Sequence, residues 1–187
     1  EIEEHEHTVY DLMAEEAGLD ECLVKNVQDN LDVLPSDMNL AGAEIEFQEI
    51  ENKETLLKRY LDQVRDDYDF ILIDCPPSLN ILTINALTAA DTVLVPIQCE
   101  YYALEGLNQV LKTVELLRKK LNPQLELESV VFTMYDARTN LSLEVVENVK
   151  KHLNETIYKT IIPRNVRLAE APSHGMPINL YDSRSSG

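Results

Sequence analysis

Apolar positions in this chain fall into short continuous runs, and most are separated by stretches with helical spacing. "YDFILID" (68–74) and "DTVLVPI" (Asp91 to Ile97) are continuous rather than alternating, which predicts strands covered on both faces. "ESVVFTMYD" (Glu128 to Asp136), "TIYKTIIP" (Thr156 to Pro163) and the shorter "NLDVLPS" (Asn30 to Ser36) complete the predicted strands. Leu57, Tyr60, Leu61 and Val64 recur on one face of a helix over roughly 52–66, and a second helix is expected from Leu79 to Ala89. In "YALEGLNQVLKTVELLRKKL", Leu104, Leu107, Leu111, Val114, Leu117 and Leu121 form one stripe. Arg118, Lys119 and Lys120 sit where the helix dipole favours cations. "LSLEVVENVKKHL" (Leu141 to Leu153) is another helix, and "NVRLAEAPSHGMP" opens a short one ended by Pro172 and Gly175.

Strands alternating with crossover-length helices predict an α/β fold: a mainly parallel sheet with helices on both faces, in one domain over residues 1–187. Ligands in such folds sit beyond the carboxyl ends of the strands. The loops after Asp74, Ile97, Met134 and Ile162 are therefore the places to look for chemistry.

Composition narrows the class only a little. Hydrophobic residues at 44% and charged residues at 27% are ordinary for a globular protein. No apolar run approaches the ~20 residues of a membrane span, and no secretory signal opens the chain. Cys22, Cys75 and Cys99 are widely spaced, giving neither a CxxC motif nor an even disulfide framework, so reduced thiols in a cytoplasm are expected. The net charge of −18 is uneven: residues 1–54 hold 17 acids and two bases, whereas from Arg138 onward seven bases face five acids. A local basic surface in the last third is compatible with that total.

Asp74 ends an apolar run, where a carboxylate is costly unless it is ionised with a partner. Either it positions Mg²⁺, as in phosphate-transfer proteins, or it serves as a cap or structural turn residue. Pro76 and Pro77 stiffen the turn, and Ser78 is placed to cap the next helix. Glu100, Tyr101 and Tyr102 either face a ligand or second subunit, or cap and pack. Pro163 and Asn165, at a strand's carboxyl end, suit one wall of a base pocket, and Arg138, Arg164 and Arg167 suit phosphate contacts or a solvated loop. His5, His7, His152 and His174 have no metal spacing with one another.

"YDFILIDCPPSLNILTINALTAADTVLVPIQCEYYALEGL", "TMYDARTNL" and "TIIPRNVRLAEAPSHGMPINLYDSRS", in that order, resemble the ParA/Soj group of partitioning ATPases. These are deviant Walker-A P-loop proteins related to MinD and the nitrogenase iron protein. The resemblance extends over nearly the whole chain and implies a three-layer P-loop NTPase fold, here incomplete at both ends. It further implies ATP and Mg²⁺ as cofactors, with Asp74 as the Walker-B aspartate that holds Mg²⁺ through water. Cys75, Pro76, Pro77 and Ser78 would form the switch II loop, and Pro163 and Asn165 would line the adenine pocket. Arg138 and Arg167 match positions that present cations to DNA of any sequence. An ATP-bound homodimer, a ParB/Spo0J-type partner that stimulates hydrolysis, and a nucleoid-associated cytoplasmic location are also implied, with no membrane attachment.

The family's first strand, its KGGxGKT[TS] loop, its DxDPQ segment and its last helix are not found in these residues, and none of the five glycines opens a GK[ST]. Truncation or a fragmentary gene record is the expectation. The parent is then an ATPase, and these residues alone are inactive and prone to aggregate. The competing expectation is a DNA- or partner-binding module without hydrolysis. A MinD-like membrane switch would need a C-terminal amphipathic helix.

Overall fold

The computed structural model describes residues 5–76, 78–153 and 157–186, with the backbone alone at position 44. The chain divides into two compact units, one running through Asp91 and taking in Lys120–Pro123, the other formed by Thr92–Lys119 and the residues from Gln124 onward.

In the first unit, α1 (Val9–Met13) starts at Thr8 through a capping box. The Thr8 hydroxyl accepts from the Tyr10 amide, and the Asp11 carboxylate accepts from the Thr8 amide at 2.6 Å. After α2 (Leu19–Cys22) come β1 (Val24–Gln28) and β2 (Leu31–Val33), an antiparallel hairpin of which only the second strand was expected. The first strand, "VKNVQ", is exposed at four of its five positions and lacks the alternation that marks a half-buried strand. Asn30 (φ 60°) takes the left-handed conformation at the turn, as asparagine tolerates. Asp32 then anchors the hairpin by accepting from the Asn26 amide (2.8 Å) and the Tyr68 hydroxyl (2.6 Å).

Next come α3 (Ala43–Glu46), α4 (Leu56–Val64) and α5 (Ile81–Ala89), with short 3₁₀ turns at Lys53–Thr55 and Arg65–Asp67 flanking α4. Met13, Ala43, Phe47, Leu56 and Leu57 form the core of this unit. Asn85 of α5 is fully buried and joins the two longer helices. Its Oδ1 accepts from the Leu57 amide at 3.1 Å, and its Nδ2 donates to the Lys53 and Ile81 carbonyls at 2.7 and 3.0 Å. A buried amide is tolerable here because both of its ends are satisfied. Asn122 closes the other end of α5 by donating to the Leu87 and Ala90 carbonyls, which a helix C-terminus otherwise leaves unpaired.

The "YDFILID" segment departs from expectation. Residues 68–76 carry no strand pairing, and Phe70 and Leu72 are 85% and 92% exposed. An apolar run supplies β-propensity, but a strand exists only where a neighbour accepts its ladder and a layer covers its faces. Here only Ile73 reaches the core of its unit.

The second unit is built on β3 (Thr92–Gln98), β4 (Glu126–Tyr135) and β5 (Ile157–Pro163), parallel and in that order. The crossovers are α6 (Ala103–Lys120) and α7 (Asn140–Leu153). Register runs Val95↔Val130 and Ile97↔Phe132, then Phe132↔Ile161, so one continuous apolar face crosses all three strands. Leu107 from α6 and Val145, Val146 and Val149 from α7 pack with that face. Burial of each such side chain stabilises the unit by about 1.5–3 kcal/mol. Thus β3 is not covered on both faces as its sequence predicts: Val95 and Ile97 are buried, whereas Leu94, Pro96 and Gln98 are exposed. It stands at an edge of the described three-stranded sheet, with helix cover on the face that carries Val95. Beyond β5 lie α8 (Val166–Glu170) and α9 (Ile178–Tyr181), joined by a 3₁₀ turn over Ala171–His174 that Gly175 ends in the left-handed conformation (φ 62°).

Candidate functional site

Asp74 sits in the first unit outside any helix or strand and is exposed. Cys75 turns its thiol back to donate to the Ile73 carbonyl at 3.7 Å. Burial of the thiol first, and the Asp74 carboxylate second, push the Cys75 pKa upward although the residue as a whole is exposed. Pro77 lies outside the described residues. The helix cap is Asn80 rather than Ser78: its Oδ1 accepts from the Leu82 and Thr83 amides, both at 3.1 Å. The sequence held this signal, since Asn80 directly precedes the apolar helical run. Ser78 instead offers its carbonyl to the Thr83 hydroxyl at 2.6 Å. Thr83, which no motif flagged, therefore ties the Asp74–Asn80 loop to the first turn of α5.

The remaining expected residues lie in the second unit, at the carboxyl edge of β4 and β5. Pro163 closes β5 opposite Tyr135, and the Arg164 amide donates to the Tyr135 carbonyl at 2.9 Å, holding the two strand exits together. Asn165 caps α8, accepting from the Arg167 amide at 2.8 Å, while its Nδ2 donates to the Ser185 and Ser186 hydroxyls at 3.0 and 3.3 Å.

Both expected DNA-contacting arginines are paired. Arg138 grips Asp136 through Nε (2.9 Å) and Nη2 (2.7 Å), and its own amide donates to the same carboxylate at 3.0 Å. These bonds hold the Asp136 carboxyl well below the usual carboxylate range. Arg167 donates through Nη1 to Glu170 at 2.8 Å and lies 3.6 Å from Asp182. Glu170, held below its usual range first by Arg167, also accepts from Tyr181, whose ring stacks on His174. Arg164 approaches Glu100 at 3.7 Å. Beside Glu100, Tyr101 and Tyr102 meet edge to face at 5.1 Å, both more than 70% exposed, so neither packs into the core.

The side chains fit a nucleotide in part. For the expected adenine wall, Pro163 has an apolar ring and Asn165 an amide, but the Asn165 Nδ2 already donates to Ser185 and Ser186. Asp74 is a hard oxygen donor suited to Mg²⁺, yet a single carboxylate fills one place around an octahedral ion. Among the described residues no group of three or more His, Cys, Asp or Glu is placed to hold a metal. The phosphate side does not fit: no glycine-rich GK[ST] segment occurs, and Gly106 lies within α6. Nor, among the described residues, is any helix long and apolar enough to cross a membrane.

Residues 1–127 match the family model described as "AAA domain". The sporulation initiation inhibitor protein Soj of Bacillus subtilis is 56% identical over 182 residues, covering 97% of this chain and 72% of that protein. The chromosome-partitioning ATPase Soj of Treponema pallidum is 49% identical over 180 residues, covering 96% and 71%. Among solved structures, the fold is similar to cobyrinic acid a,c-diamide synthase of Mycobacterium smegmatis with bound ATP analog and magnesium. That likeness has a TM-score of 0.80 and 34% identity, covering 89% of this chain and 66% of that one. The α/β fold around a parallel sheet and these relationships lead to one assignment: the chain belongs to the ParA/Soj family of chromosome-partitioning ATPases.

Proposed function

We propose that this protein is an ATP-dependent partitioning switch whose single ParA-like domain takes in residues 1–187. In this reading ATP and Mg²⁺ are its cofactors, Asp74 holds Mg²⁺ through water, and Cys75, Pro76, Pro77 and Ser78 respond to the γ-phosphate. Pro163 and Asn165 line the adenine side, and Arg138 and Arg167 meet DNA phosphates without regard to sequence. The ATP-bound form is a homodimer on nucleoid DNA in the cytoplasm, and a ParB-type partner stimulates hydrolysis. The observation that carries this reading is the 56% identity with Soj across 97% of the chain, a span that takes in the Asp74 loop and the arginine edge alike.

The second reading concerns the 187 residues by themselves. Without a GK[ST] segment they offer no cradle for a triphosphate, so by themselves they bind partners or DNA without turning over ATP.

Charge reversal at both arginines tests the DNA assignment. In the full-length protein, Arg138→Glu with Arg167→Glu turns two neutralised pairs into clusters of negative charge, so it weakens binding to unrelated duplexes alike, by about tenfold or more, and flattens the dependence of log affinity on log salt. Unchanged affinity and slope in a filter-binding or anisotropy titration would remove both residues from the interface.

A further inference from the structure

A guanidinium makes its strongest contacts through paired N–H groups that fit a carboxylate or a phosphate equally well. In this protein one such pair, Nε and Nη2, is already bound to the two oxygens of Asp136. The acid is the fixed partner: its side chain is 21% exposed against 86% for Arg138. Asp136 is also held by its backbone, which donates to the Ser142 hydroxyl and accepts from the Thr139 amide and hydroxyl. Arg138, by contrast, is a long side chain in water. The carboxyl keeps its charge far into acid, so no physiological change of pH frees the arginine.

We propose that Asp136 masks Arg138, setting how tightly the carboxyl edge of the sheet holds DNA by cancelling the charge that would otherwise meet a phosphate. This rests on the DNA-contact role of Arg138 given under Proposed function. Masking follows rather than helpful positioning because sequence-independent affinity comes from charge and counterion release, whereas buttressing an arginine matters where a base edge is read. With Asp136 in place the pair is neutral, and the DNA gains little from it. Arg167, between Glu170 and Asp182, is restrained in the same way, so the edge as a whole holds its cations in check.

The test is an anisotropy titration of a random-sequence duplex with the full-length protein, in ATP and Mg²⁺, across a salt series. Asp136→Asn keeps an oxygen for the Arg138 amide and removes the charge. It raises affinity by about two- to fivefold, the range exposed ion pairs span, and steepens the salt slope by about 0.9. The gain vanishes when Arg138→Ala is already present. Glu144→Gln, an equal change of charge at an exposed site on α7, does not reproduce it. A second variant, Asp136→Ser, gives the same result if Asn itself perturbs the turn, and thermal melts confirm that each variant is folded. A gain that persists without Arg138, or that Glu144→Gln matches, overturns the masking as a general charge effect. Weaker binding by Asp136→Asn overturns it in favour of positioning. If Arg138→Ala leaves binding unchanged in the Asp136→Asn background, the DNA-contact assignment falls and the masking with it. If Arg138→Ala weakens binding in that background while Asp136→Asn by itself does not strengthen it, only the masking falls.

Discussion

Asp74→Asn in the full-length protein lowers ATP turnover by about a hundredfold or more while leaving the fold intact. The substitution keeps the shape of the side chain and removes its negative charge. Removing one charge-stabilising group from a phosphoryl-transfer or acyl-transfer site typically costs about 10²–10³ in rate. Stability separates a functional role from a structural one. Asp74 is exposed outside any helix or strand, so the change shifts unfolding by no more than about 0.5 kcal/mol. A fully active Asp74→Asn protein would take Asp74 out of the Mg²⁺ site. A protein that lost activity only because it melted would return Asp74 to the alternative of a structural turn residue.

Phe70 and Leu72 are 85% and 92% exposed, and the backbone there has no ladder partner. An apolar stretch with free backbone groups and high β-propensity is a template for pairing with another chain. The purified 187-residue chain therefore self-associates, and replacing Phe70 and Leu72 with Lys restores a monodisperse species by light scattering. Each side chain removed from water in such an association contributes about 1.5–3 kcal/mol, so the pair decides the outcome. A wild-type chain that stays monomeric at high concentration and melts cooperatively would refute this.

The contrast between Phe70–Asp74 and α6 shows where sequence patterns suffice. The Leu104–Leu117 stripe specifies a helix by local spacing, and one face of the helix needs only one apolar surface to meet. Ile157–Pro163 and Glu126–Tyr135 likewise appear near their expected limits, because each finds a parallel neighbour within its own unit. The run from Phe70 to Ile73 carries the same composition without that neighbour, and composition cannot report whether a partner is present. The β1 strand was hidden for the opposite reason: its residues are exposed, and its hairpin is held by Asn30 and Asp32 rather than by an apolar face. At the site, residue types and spacing singled out Asp74, Asn165 and the arginines. The acids that restrain those arginines were missed, although Asp136 lies two residues before Arg138 and Glu170 three after Arg167, both within easy reach of a turn or helix pairing. Asn80 caps α5 in place of Ser78, and because Asn and Ser cap about equally well, residue type does not choose between them.

In the proposed function Asp74 serves Mg²⁺ and Pro163 and Asn165 serve the adenine, while no GK[ST] segment is present to cradle the phosphates. Steady-state ATP hydrolysis, measured side by side on the purified 187-residue chain and on the full-length protein with Mg²⁺, addresses this most directly. Turnover is expected from the full-length protein, and none from the 187-residue chain above a protein-free blank. Turnover by the 187-residue chain that scales with its concentration would contradict that expectation.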